Sequence, residues 1–174
     1  MKNVLIAIVF TLLVLVIIFT VYIYSGSFDP SQIKHHKPLT EKIIGITMEH
    51  SINKRIKGIV VPNLQDTSLF TVGLSHYNEM CVVCHGGPGV EPSELAKGLY
   101  PEPPVLYKSE DMPKPDEAFW IIKNGIKMTG MPAFAPTHED KEIWAITAFM
   151  LYKMNSLTSV EYQEMVKKAP EHGM

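Results

Sequence analysis

Val4 to Tyr24 is an unbroken apolar run of 21 residues that carries no charge. Wound as a helix, it is long enough to cross about 30 Å of hydrocarbon, so residues 1–24 are expected to form a transmembrane anchor. Lys2 and the terminal amine precede the run, and Tyr22 and Tyr24 close it. That order predicts a cytoplasmic N-terminus, an aromatic belt at the far interface, and export of the rest of the chain. The competing reading is a cleaved export signal. Such signals have a shorter apolar core and a small-x-small cleavage site. Here the run ends in Tyr22-Ile23-Tyr24-Ser25-Gly26-Ser27, so a retained anchor is expected.

Residues 25–65 read as a linker that is polar as far as Lys37. Thr40 then has the character of an N-cap for a helix over about 40–57. Ile44, Met48, Ile52 and Ile56 recur every four residues and share one face of it. Gly58 and Pro62 supply its stop signals. A lone helix of this length is marginal unless its apolar stripe is covered. The stripe is expected to pack on the C-terminal domain or to dock on the membrane or an integral-membrane partner.

Charge sharpens this division. The 174-residue chain carries a net −2, which argues against a phosphate-driven nucleic-acid partner. Residues 25–65 hold six Lys/Arg against three Asp/Glu, a net +3, whereas residues 66–174 hold nine against fifteen, a net −6. The basic segment lies nearer the anchor and suits a lipid surface; the acidic segment repels acidic partners.

Only two cysteines are present, Cys81 and Cys84, in Cys81-Val82-Val83-Cys84-His85. A disulfide across so short a loop restrains little of the unfolded chain. Two thiols fall short of a four-thiolate zinc site, and a thioredoxin-type dithiol needs an adjoining βαβ pattern that is missing here. The spacing suits haem attachment. Two residues between the thiols, on a helical turn, set both sulfurs along one porphyrin edge, where each adds to a vinyl group. The histidine directly after Cys84 lies under the iron as its proximal ligand. Ten methionines compete for the distal position. Met131, in Gly130-Met131-Pro132-Ala133-Phe134, has the best context, because the proline fixes the chain and the glycine allows close approach to the porphyrin. A thioether there favours reduced iron. Met128 is the nearest rival and reads as packing. His35, His36 and His50 have no ligand-like spacing and are read as solvated; His76 is read as a haem-edge or surface residue, since Met131 fits the distal role better.

The stretch from Gly73 to about Lys153 resembles the class I c-type cytochromes. Gly73, Tyr77 and Cys81 fall on one face of a helix at i, i+4, i+8. The resemblance implies that Gly73 and Tyr77 pack against a C-terminal helix, here Lys141–Leu151, at Ile146 and Phe149. Thr137 and Asp140 are the expected capping pair at its start. The resemblance also implies a proline carbonyl that fixes the proximal histidine. Pro104 is the candidate and Pro103 nearly as good; Leu106 then touches the porphyrin. Phe119–Ile126 looks like the helix before the methionine loop, from which Trp120 reaches a haem propionate.

The expected fold is therefore all-α: a class I cytochrome c domain around one haem over 66–155, preceded by the transmembrane helix and the amphipathic helix. Residues 156–174 form a helical or flexible tail. The metal ligands are His85 and Met131, and the cofactor is one covalent haem c. Both axial positions are filled, so electron transfer is expected instead of catalysis. The expected place is the cytoplasmic membrane, with the haem domain on the periplasmic or exterior side. The expected partners are a quinol-oxidising complex, a terminal oxidase or a dehydrogenase. The alternatives are a permanent cytochrome subunit of a larger membrane oxidoreductase, a haem enzyme or gas sensor with a labile distal ligand, and a zinc or dithiol protein.

Overall fold

A computed structural model describes residues 1–169. Among the described residues there are eight α-helices joined by π and 3-10 turns, and the only β pairing is an isolated bridge between Gly87 and Val90. The chain divides into two compact units, residues 1–35 and the part from His36 onward.

The first unit is built on helix α1 (Lys2–Tyr24). Its 23 residues have a mean hydropathy of 3.3 and span about 35 Å at 1.5 Å per residue, enough to cross a membrane. The hydroxyls of Thr11 and Thr20 donate to the carbonyls of Ala7 and Val16 at 2.9 and 2.8 Å. Both polar groups are thus satisfied within the helix, as a hydrocarbon medium requires.

The second unit opens with α2 (Pro38–Arg55). The sequence suggests 40–57 with Thr40 as the cap, and the structure starts the helix two residues earlier. Pro38 takes the first helical position, where a missing N–H costs nothing. The Lys37 carbonyl accepts from the backbone of Thr40 and Glu41 at 2.8 and 3.1 Å. Of the expected apolar stripe, Ile52 is buried against the unit and Ile56 is half-buried, while Ile44 and Met48 stay exposed.

The core forms where α3 (Ser68–His76) crosses α7 (Asp140–Ala148). Gly73 makes this crossing possible. A Cβ built there would lie 2.0 Å from the Ala145 carbonyl oxygen and 2.7 Å from the Phe149 Cβ. Around the contact, Leu74, Tyr77, Ile143, Ile146 and Phe149 are fully buried. The α7 cap differs from the expected one. Asp140 is the first helical residue, Glu139 is the cap, and the Glu139 N–H donates to Glu142 Oε2 at 2.8 Å. Thr137 instead donates to the Phe134 carbonyl at 3.3 Å. The Glu-to-Glu box wins because its return bond spans the required three residues from the true helix start.

Within the stretch read as a tail, α8 (Ser159–Lys168) is an ordered helix, and residues 170–174 lie outside the described part. Thr158 and Glu161 form a reciprocal capping box at its start. Tyr162 is fully buried in the same core cluster as Phe149, and its hydroxyl donates to Asn78 Oδ1 at 3.3 Å.

The Gly73 contact makes a strong stability prediction. Gly73→Ala should lower the unfolding free energy by about 3 kcal/mol or more, because backbone and not a flexible side chain occupies the space. Denaturant unfolding followed by circular dichroism measures it.

Candidate functional site

Helix α3 runs on into a π-turn at Tyr77–Cys81 and then into the short helix α4 (Val82–His85). A π-turn inserts an extra residue into the helical repeat and commonly marks a functional position. Here it sits immediately before the Cys-x-x-Cys-His turn. Tyr77 ties the turn down: its fully buried hydroxyl donates to the Gly86 carbonyl at 2.8 Å. The residue that packs against Phe149, with ring centroids 5.7 Å apart, therefore also fixes the far end of the turn.

A cavity of about 490 Å³ opens beside this turn, within the usual range for cofactor and ligand sites. Cys81, Cys84, His85, Pro104, Leu106 and Met131 all line it. The sequence separation from His85 to Met131 is thus closed by the fold. Trp120 is not in the lining. Helix α6 (Pro115–Asn124) turns Ala118, Ile121 and Ile122 toward the cavity. Two positions on from Ala118, Trp120 stands about 200° round the helix from it.

His85 Nδ1 lies 2.9 Å from the Pro104 carbonyl oxygen. This bond chooses Pro104 over Pro103, which lines the cavity but does not hold the ring. It also commits Nδ1 and leaves Nε2 as the ring nitrogen available to a ligand. Burial pushes the His85 imidazole below its usual value, and the bond to Pro104 opposes that shift. A neutral imidazole is the form that coordinates metal.

Cys81 and Cys84 are free thiols. Burial, helped by the nearby Cys84, pushes the Cys81 thiol up to about 12. Dithiol oxidoreductases need the reverse, a nucleophile pulled well below its ordinary value. The microenvironment therefore speaks against a thioredoxin-like reading. Among the described residues, no group of three or more His, Cys, Asp or Glu side chains is arranged to hold a metal ion, which leaves the zinc reading without ligands.

The methionine loop is held from both sides. The Met131 N–H donates to Thr129 Oγ1 at 3.1 Å, and its carbonyl accepts from Ile126 N–H at 3.3 Å. Gly125, at φ +64°, lets the loop close on itself; a Cβ there would meet the Met131 carbonyl oxygen at 2.8 Å. Gly130 lines the cavity, but the space its Cβ would take is filled by Leu99. Met128 is 78% exposed and outside the lining. Three other methionines do reach the wall, Met80, Met112 and Met150. Met112 carried a signal in the sequence: Met112-Pro113 repeats the Met131-Pro132 dipeptide.

His36, His50, His76 and His138 are not among the residues that line the cavity. His50 is exposed. His36 packs edge-on against Tyr100 at 5.5 Å, and buried His76 packs against His138 at 5.0 Å. Tyr100 joins α2 to the cavity. Its hydroxyl donates to Glu41 and accepts from His36 N–H at 3.2 Å, and the lining prolines Pro101, Pro103 and Pro104 come directly after it in the chain. Carboxylates of Glu102, Asp111 and Glu117 belong to the same wall.

Residues 69–150 match the family model described as cytochrome c oxidase, cbb3-type, subunit III. No curated protein matches the chain.

The Tyr77 bond can be tested separately from any cofactor chemistry. Tyr77→Phe leaves a buried carbonyl without a donor and should cost about 1–3 kcal/mol, read from the shift in the denaturation midpoint.

Proposed function

We propose, from the premise that residues 69–150 are a c-type cytochrome domain, that this chain is a membrane-anchored monohaem cytochrome. It passes single electrons between respiratory partners at the outer face of the cytoplasmic membrane. The observation that carries the reading is the convergence of Cys81, Cys84, His85 and Met131 on one cavity, with His85 Nδ1 held by Pro104. A c-type domain implies covalently bound haem c, which supplies a one-electron ferric–ferrous couple when bound.

The chain's own residues set the conditions for that couple. Cys81 and Cys84 would tether the group, each thiol adding across one vinyl group to form a thioether. His85 presents Nε2 from a ring whose orientation Pro104 fixes. Met131 would be the distal ligand, presented from a backbone that is pinned on both sides. An imidazole from His85 and a thioether from Met131 would together hold the iron and leave no place for a substrate, which favours outer-sphere transfer over catalysis. Ala118, Ile121 and Ile122 keep water from the centre. The carboxylates of Glu102, Asp111 and Glu117 suit a redox partner with a basic face.

Orientation rests on Lys2, which favours a cytoplasmic N-terminus and places the chain beyond α1 on the outer side. A permanent place within a larger membrane oxidoreductase is favoured by the terminal-oxidase description of the matched family. Copurification of other subunits after mild solubilisation separates that arrangement from a free tethered carrier.

Three variants test the ligand assignment in the haem-loaded protein. Met131→Ala should lower the reduction potential, abolish the weak sulfur-to-iron band at the red end of the spectrum, and admit carbon monoxide. Met128→Ala and Met112→Ala should leave all three properties unchanged. A band that survives Met131→Ala and disappears in Met112→Ala would transfer the role to Met112. Cys81→Ala or Cys84→Ala should reduce covalent haem attachment, read by haem staining after denaturing electrophoresis.

A further inference from the structure

Helix α2 carries two apolar stripes, and only one of them is used by the fold. Ile52 is 4% exposed and turned toward the rest of its unit. Leu39, Ile43 and Ile46, spaced i, i+4, i+7, form a second stripe on another side, and they are 69%, 56% and 45% exposed. At 100° per residue this outer stripe lies well over a quarter turn from the axis of Ile52 and Glu41. Glu41 faces inward, accepting from Tyr100. The outer stripe continues toward the helix end through His50 and Lys54.

Two features identify what covers it. Thirteen residues separate Tyr24, the end of the helix long enough to cross a membrane, from Pro38, the start of α2. Fully extended, they reach at most about 45 Å, so α2 stays within that distance of the bilayer that α1 crosses. Its flanks are basic: Lys34, Lys37 and Lys42 lie at one end and Lys54, Arg55 and Lys57 at the other. The acids of the segment are engaged or few: Asp29 pairs with Lys34 at 2.6 Å, Glu41 is bonded to Tyr100, and Glu49 remains. An exposed apolar stripe offers area to the acyl boundary, and the flanking cations are drawn to anionic headgroups.

We infer that the Leu39–Ile43–Ile46 face of α2 beds into the headgroup region of an anionic bilayer, making a second, interfacial contact beyond the spanning helix. The inference rests on the reading of α1 as a membrane anchor. Through Tyr100, which α2 holds by Glu41 and by His36 N–H, that contact is mechanically continuous with the Pro101–Pro104 wall of the cavity. The lipid surface thereby constrains how the cavity wall is presented to partners.

The test uses full-length, haem-loaded protein in vesicles of mixed phosphatidylglycerol and phosphatidylcholine. Both native thiols are consumed by thioether bonds, so a cysteine introduced as Ile43→Cys, or independently as Ile46→Cys, takes a nitroxide label selectively. Power saturation then compares collision with oxygen, which partitions into lipid, and with a nickel chelate, which stays in water. Glu164→Cys on exposed α8 is the aqueous reference. The expected result is an oxygen-to-nickel ratio several-fold higher at 43 and 46 than at 164, falling when phosphatidylglycerol is omitted or when Lys37 and Lys42 are changed to Glu. A ratio at 43 and 46 equal to that at 164 overturns the inference. So does an immobilised label shielded from both reagents, which would mean that a polypeptide covers the face. Resistance of the same sample to alkaline extraction reports on α1 alone, so failure of the anchor and failure of the α2 contact are read separately.

Discussion

Everything in the globular unit hangs on the approach of two backbones at Gly73. With hydrogen in place of a side chain, α3 comes against the Ala145 carbonyl of α7, and this fixes where Tyr77 sits. Tyr77 then performs two tasks with one side chain. Its ring packs on Phe149 and its hydroxyl holds Gly86, the residue just past the Cys-x-x-Cys-His turn. A packing constraint between the two ends of the domain is thereby converted into the position of the cysteines and of His85. Buried Tyr162 of α8 packs on Phe149 from another side, so the C-terminal helix supports the same turn.

The cavity beside that turn combines apolar walls with a small set of polar groups, among them Cys81 and His85. Burial holds the Cys81 thiol protonated and disfavours a charge on His85. A raised thiol value is a poor property for a thiol redox catalyst, and a neutral imidazole is the form that coordinates metal. The Pro104 carbonyl adds direction, fixing the ring by its other nitrogen. On the far loop the Thr129 hydroxyl and the Ile126 N–H hold Met131 by its backbone and leave its thioether for the cavity. Held in this way, His85 and Met131 would rearrange little on a change of charge at the proposed centre, as outer-sphere electron transfer requires.

Helix α2 serves two environments. Its inner side reaches the cavity wall through Tyr100, and its outer side keeps an apolar stripe exposed. A helix with apolar residues on two sides has almost no net amphipathic direction, so a reading of periodicity finds whichever stripe is more regular. That stripe is Ile44, Met48, Ile52, Ile56, of which the fold buries only one end.

The sequence alone determined what depends on near neighbours. An uncharged apolar run long enough to cross a membrane, and two thiols with an imidazole directly after the second, have their meaning within a few residues of chain. The pairing of Gly73 and Tyr77 with the Phe149 helix was legible too, through its spacing and the resemblance it supported. Only the tertiary structure decided which of the described methionines reach the cavity, which proline carbonyl meets His85, that Trp120 is not in the cavity lining, and that Tyr162 joins the core. Each of these is a contact between residues far apart in the chain. Its outcome depends on which side of a helix faces the core, and consecutive side chains on a helix point 100° apart, so near neighbours in sequence can face the core or solvent.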